Sequence, residues 1–307
     1  MSSKMRSAET RSGTVSLKYG EAAKRRYKEL RLFWYRLSKS SLSIVGLVIA
    51  LFVFGIAIFA PVIAPHPEDA GMRTHFENAV QPPSSEFWFG TDQVGRDLFS
   101  RVLFGSRSAL MIGFIVVTIA MGIGVPLGLV AGYWGGKLNM VIMRITDIFM
   151  SVPGLTLAMV VVATLGPGIE HGIIAVSFVW WPWYTRVVQG EVLSIRELQF
   201  VEASKALGAS RIRTAFKEIL PNVMTPLIVK ASLDIGFAII VGTTLSFFGL
   251  GAQEPTPDWG TMIGTGRTYL PFAWWLTAFP GLFIFITVLG FNLLGDGLRD
   301  VFDVKIR

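Results

Sequence analysis

Six stretches of this sequence, residues 43–64, 108–136, 148–169, 172–185, 235–253 and 268–295, contain no Asp, Glu, Lys or Arg. Crossing a hydrocarbon core of about 30 Å takes roughly 20 apolar residues in a helix. A chain segment in that core must satisfy its own backbone N–H and C=O groups, which a helix does within one segment. Five of the runs are long enough by themselves. The fourth, 172–185, is short, so its helix must continue past Arg186 into the interface. The third is opened by Pro153-Gly154 and the sixth is interrupted by Pro280-Gly281; the fifth extends backwards over Asp234 and Lys230. The expectation is an all-α integral membrane protein with six transmembrane helices.

Composition agrees: 52% of the 307 residues are hydrophobic and 16% are charged, against about a quarter charged in a soluble domain. The net charge of +7 does not imply a nucleic-acid partner, because the cations are concentrated beside the apolar runs. Of the 28 Lys and Arg, 23 fall in segments that would share one face of the membrane (1–42, 137–147, 186–230 and the C-terminal tail). Such a bias marks the cytoplasmic side, so both termini are expected there. The division that follows is a cytoplasmic basic tail at 1–42, a first span at 43–64, an extracytoplasmic loop at 65–107, a five-helix core domain at 108–297 with a cytoplasmic loop at 191–222, and a tail at 298–307. Within the basic tail, Tyr27, Leu30, Trp34 and Leu37 recur at helical spacing among cations, the pattern of an interfacial helix against membrane lipid.

Sites for chemistry are missing. GxxxxGK[ST] fails at Gly136-Lys137, where Ala131 and Leu138 stand at required positions, and there is no GxGxxG, HExxH or GxSxG. Without cysteine there is no thiolate site. His66, His75 and His171 lie in outward-facing segments without ligand spacing. No catalytic residue, metal ligand or cofactor site is expected on this chain.

The 191–222 loop is the informative one. Val201 to Leu207 is helix-forming, Gly208 is placed for the left-handed turn that ends a helix, and Ser210 can cap a second short helix. That second helix is expected to stop before Pro221. Ala203 and Ala206 give the first helix a small-residue side. This stretch, Glu202-Ala203-Ser204-Lys205-Ala206-Leu207-Gly208 running on to Leu220-Pro221, resembles the EAA loop of permeases in binding-protein-dependent ABC importers. Ser204 stands where Ala is usual and Glu218 where an apolar residue is usual. Three further elements resemble the peptide/nickel branch of that family: Phe-Gly-Thr-Asp to Ser-Arg at 89–101, Leu-Gly-Ala-Gln-Glu-Pro-Thr-Pro-Asp-Trp-Gly at 250–260, and Phe-Asn-Leu-Leu-Gly-Asp-Gly-Leu-Arg-Asp at 291–300. In combination they are most similar to the C-type permeases of dipeptide and oligopeptide importers.

The resemblance implies a type I importer fold, a homologous second permease, two ATPases carrying ATP and Mg on separate chains, and an extracytoplasmic solute-binding protein. It implies residence in the cytoplasmic membrane of a prokaryote. Glu202, Ala203, Ser204, Gly208, Leu220 and Pro221 would then couple to the ATPases. Peptide is the expected substrate, with oligosaccharide, nickel and glutathione as alternatives; an ion-coupled secondary transporter is a remoter rival. In the 65–107 loop, Gly90 and Gly95 supply turns and Asp97 and Arg101 are spaced to pair; with Asp92 and Arg96 they form a candidate docking site for the binding protein. Lys230 and Asp234, at i, i+4, are candidates for the pathway wall, because charges at membrane depth must pair or face water. Arg144 and Asp147 are expected to pair with each other, and the Trp180–Tyr184 and Trp274–Trp275 clusters to form aromatic belts.

Overall fold

A computed structural model describes residues 40–303 continuously, together with Lys28, Arg31, Leu32, Trp34, Tyr35, Leu37 and Ser38. Those described between Lys28 and Leu37 are helical, with Leu37 buried and Trp34 exposed; Tyr27, Leu30 and most of the basic tail lie outside the described residues. The helices are α1 (Ser41–Ile63), α2 (Leu98–Trp134), α3 (Gly136–Met150), α4 (Gly154–Leu165), α5 (Ile169–Ile195), α6 (Gln199–Ala206), α7 (Leu220–Phe247), α8 (Trp259–Gly266) and α9 (Trp275–Asp303).

Four of these helices, α1, α2, α9 and α7 with its lead-in from Arg211, are long and apolar enough to cross a membrane, and the count is five if the bent pair α3 and α4 forms one span. At 27 residues α5 has the length, but Trp180, Trp181, Trp183, Tyr184 and Arg186 dilute its apolar run. Six continuous apolar spans are therefore not reproduced one for one. The third departs most: residues 136–165 form two helices meeting at 86°, because Pro153 has no N–H to continue α3 and instead precedes the first turn of α4. The sixth does not break at Pro280, the sixth residue of a continuous α9; membrane helices tolerate such prolines because neighbouring groups re-satisfy the freed backbone. The second begins at Leu98 rather than at residue 108, since the Asp97 side chain accepts from Ser100 N and caps it.

At the centre of the bundle α2 packs most extensively on α5, and also on α7 and α1; α9 packs on α1 and α7. The α2–α5 contact is close because Gly124, Gly128 and Gly132 line one face of α2. A Cβ at each would lie 2.5, 2.6 and 2.7 Å from the Cβ atoms of Tyr184, Val188 and Val192. Where lipid and helix faces are equally apolar, such small-residue rows let van der Waals contact decide which helices associate.

Candidate functional site

At one end of the bundle, the segment before α2 and the loop between α7 and α8 are tied by charge. Arg96 Nε lies 2.7 Å from Asp92 Oδ2 and its Nη1 2.9 Å from Glu254 Oε2. Arg101 Nη2 reaches the same Glu254 oxygen at 3.0 Å, its Nε faces Asp92 Oδ2 at 3.5 Å, and its Nη1 donates to the carbonyls of Asp69 and Pro255. Neighbouring bonds extend the knot: Ser108 Oγ donates to Pro257 O and Trp259 Nε1 to Val102 O, at 2.9 Å each. Gly90 and Gly95 do turn the chain here, at φ +75° and +83°.

This geometry corrects two expectations. Asp97 does not pair with Arg101; it caps α2 while its own N–H donates to Asp69 Oδ2. Asp92, Arg96, Asp97 and Arg101 are all at most 4% exposed, so their side chains brace the segment instead of presenting themselves to a partner. Burial is also the main cause that raises the Asp97 pKa, against the opposing hydrogen bonds from Ser100. Glu254 is the member that sequence reasoning missed. It lies within a quoted motif, but its arginine partners are more than 150 residues away in the chain.

The 191–222 loop lies at the other end. Helix α6 ends in the expected left-handed glycine, with Gly208 at φ +79°. Gly208 N donates to Lys205 O at 2.9 Å and Ala209 N to Ser204 O at 3.1 Å, the pair of bonds that defines a Schellman cap. Ser210 Oγ accepts from Arg213 N. The following helix does not stop before Pro221. A helical turn at Arg211–Arg213 and a π-helical stretch at Thr214–Ile219 lead directly into α7, with Pro221 at the junction as the second residue of α7. The rod from Arg211 to Phe247 is 37 residues long, about 55 Å at 1.5 Å per residue.

Of α6 only Val201 is buried; Glu202 and Ala203 are exposed and Ser204 half-buried. A cleft of about 410 Å³ runs between Ala203, Ser204, Gly208, Arg213 and Glu218. Leu198, Phe200, Leu207, Ile212 and Phe216 are exposed around it. Arg196 donates to Gly132 O at 2.9 Å, and Lys205 Nζ lies 5.9 Å from the Tyr133 ring centre, so the loop is fastened to the end of α2.

Lys230 and Asp234 are brought together, Nζ to Oδ2 at 2.9 Å. Both line a cavity of about 880 Å³ between α5, α7 and α9, with Lys230 Nζ also 5.2 Å from the Tyr184 ring centre. Asp147, by contrast, pairs with Arg186 on α5 and not with Arg144, because the bend after α3 folds that helix back on α5. The aromatic clusters split as well. Trp183 and Trp274 are exposed, as a belt requires, while Trp181, Tyr184 and Trp275 are buried in the bundle.

A family profile described as "Binding-protein-dependent transport system inner membrane component" matches residues 124–307. The chain belongs to this family. A second profile, the N-terminal TM domain of oligopeptide transport permease C, matches residues 29–83. Among relatives, the probable D,D-dipeptide transport permease DdpC of Escherichia coli is 45% identical over 91% of this chain and 93% of its own. The dipeptide permease DppC of Alkalihalophilus pseudofirmus is 44% identical over 89% and 88%, and the glutathione permease GsiD of Pectobacterium atrosepticum 39% over 90% and 91%. Among solved structures, a chain of the inward-facing MetNI methionine ABC transporter aligns with a TM-score of 0.56, 22% identity, and coverage of 66% of this chain and 97% of its own. That likeness shows the type I importer permease fold. The protein is a multi-pass, membrane-embedded transport permease.

Proposed function

We propose that this chain is the C-type permease subunit of an ABC importer for di- and oligopeptides. It would share its pathway with a homologous second permease, receive substrate from an extracytoplasmic binding protein, and be driven by two ATPases that hold ATP and Mg. Relatives from 39% to 45% identity, dipeptide permeases foremost, support the substrate class. The observation that carries the coupling role is the helix α6. A two-turn helix with one buried residue, ringed by exposed leucine and phenylalanine, is unfavourable in water and calls for a protein cover. It is joined through Ser210 to a rod that runs the length of the bundle, so a push on α6 moves α7. In this reading α6 faces the cytoplasm and the 65–107 segment faces outward. The apolar side chains that segment exposes, Met72, Phe76 and Trp88, supply the docking face in place of the buried arginines and aspartates.

The test is reconstitution of the complete transporter with its binding protein. Gly208→Val introduces a branched side chain at positive φ and is expected to lower dipeptide-stimulated ATP hydrolysis at least fivefold while the complex still assembles. Wild-type stimulation in the assembled variant would remove α6 from the coupling path.

A further inference from the structure

The Lys230–Asp234 pair does more than neutralise itself. Its cavity is walled by α5, α7 and α9, and the charged side chains on that wall are Glu191, Lys230, Asp234 and Arg299. Two carboxylates and two cations sum to zero. A site for an anion would carry an excess of cations, and a site for a divalent metal a group of carboxylates or imidazoles. A wall bearing both signs in equal number suits a ligand that does the same. The rest of the lining is mainly apolar, Leu233 and Phe237 among it, and so can receive side chains of different size without selecting one.

We propose that this cavity holds a transient subsite for a zwitterionic peptide, Lys230 taking the terminal carboxylate and Asp234 the terminal ammonium. The inference rests on the peptide-importer reading above and adds to it the groups that meet the substrate. The pair is built for exchange. Asp234 is almost wholly buried, while a quarter of the Lys230 side chain is open. Both groups come from one helix, so separating them needs only side-chain rotation. When the ligand's two ends replace the Lys230–Asp234 contact, each charge trades one opposite partner for another. No bare charge is left in a low-dielectric setting at any stage, which is the costly event in such surroundings. An exchange so nearly balanced binds weakly, as passage demands, since a site that holds its cargo tightly does not release it.

The experiment uses the complete transporter in proteoliposomes, loaded by its binding protein with Ala-Ala or with Ala-Ala amide at matched occupancy of the binding protein. In the wild-type complex, amidation removes the carboxylate that Lys230 would meet and is expected to lower the maximal uptake rate about tenfold, the scale of one charge-assisted hydrogen bond. In the double variant K230M/D234N the two substrates should move at the same rate, with the melting temperature of the complex kept. A cysteine at Val229, in the same wall, should be labelled by a small water-soluble reagent in the assembled complex. An unchanged preference for the free carboxylate in K230M/D234N overturns the subsite and leaves the peptide reading standing. Protection of the Val229 cysteine overturns it as well, showing the space filled by a partner chain. Failure of an intact wild-type transporter to take up any peptide would instead overturn the importer reading itself.

Discussion

The two ends of this molecule handle polar groups in opposite ways. Around residues 65–107, two guanidinium groups and two carboxylates from segments far apart in the chain share contacts, with carbonyl acceptors completing the knot. Each charge there has several partners, so the knot fixes the position of one segment against another. At the loop end, Lys230 and Asp234 meet on a single helix beside a cavity, and α6 leaves apolar groups uncovered. Charges with redundant, long-range partners hold a fold, whereas a pair formed within one helix beside open space can change partners. One end is finished; the other needs something added.

The sharpest way to break this contrast is Arg101→Met. It removes a buried guanidinium and strips Glu254, Asp92 and two carbonyls of a donor, although Glu254 is 37% exposed and both carboxylates keep Arg96. The change should cost about 3 kcal/mol of stability. The melting temperature and folded yield of the purified complex measure it, and a loss below about 1 kcal/mol would mean the knot is ornamental. Next in size is a matched pair of glycines. Gly95 and Gly208 have nearly equal positive φ, but a Cβ at Gly95 runs into the His75 carbonyl while one at Gly208 meets nothing within 4 Å. Gly208→Ala should cost only the strain of about 1 kcal/mol, and Gly95→Ala about 2 kcal/mol more. Equal losses would show that backbone strain alone decides both.

The local pair should give smaller, asymmetric effects. Lys230→Met leaves the buried Asp234 carboxylate unpaired and is expected to cost about 2 kcal/mol. Asp234→Asn leaves a lysine that can reach the cavity and should cost less. The double variant should melt near the wild type, whereas additive losses would show that the two residues do not stabilise the fold as a pair. The smallest effect concerns Asp258, which caps α8 by accepting from Thr261 N at 3.0 Å. Burial raises its pKa above the ordinary 3.8, against the hydrogen bonds from Thr261. The folded state therefore binds a proton that the unfolded chain releases. This contribution to stability is complete below about pH 3.8 and fades as pH rises through the raised value. Asp258→Asn keeps a competent cap and cannot ionise, so its melting profile should be flatter above pH 4 than that of the wild type.

Much of the architecture was legible from features confined to a few turns of chain. Charge-free runs marked the helices, Gly208 marked the end of α6, Ser210 the next start, and i, i+4 spacing the Lys230–Asp234 pair. Each rests on contacts between residues no more than five apart, and so is written in adjacent letters. Pro221 and Pro280 misled because a proline does not by itself end a membrane helix. The chain runs on through both, as it does through Pro61, Pro126, Pro182 and Pro226, where neighbouring groups can re-satisfy the freed backbone. Pro153, between the end of α3 and the start of α4, stands at the 86° bend.

The sequence by itself determined that the chain is helical and membrane-spanning, which turns it makes, and which family it resembles. Tertiary structure alone decided that Glu254 serves Arg96 and Arg101, that Asp147 meets Arg186, that Trp181 and Tyr184 face inward, and that a cavity opens beside Lys230. The reason is physical. In a bundle whose faces are nearly all apolar, hydropathy does not say which face meets which. That choice falls to close packing, such as the glycine row of α2 against α5, and it sets which distant charges come within reach of each other.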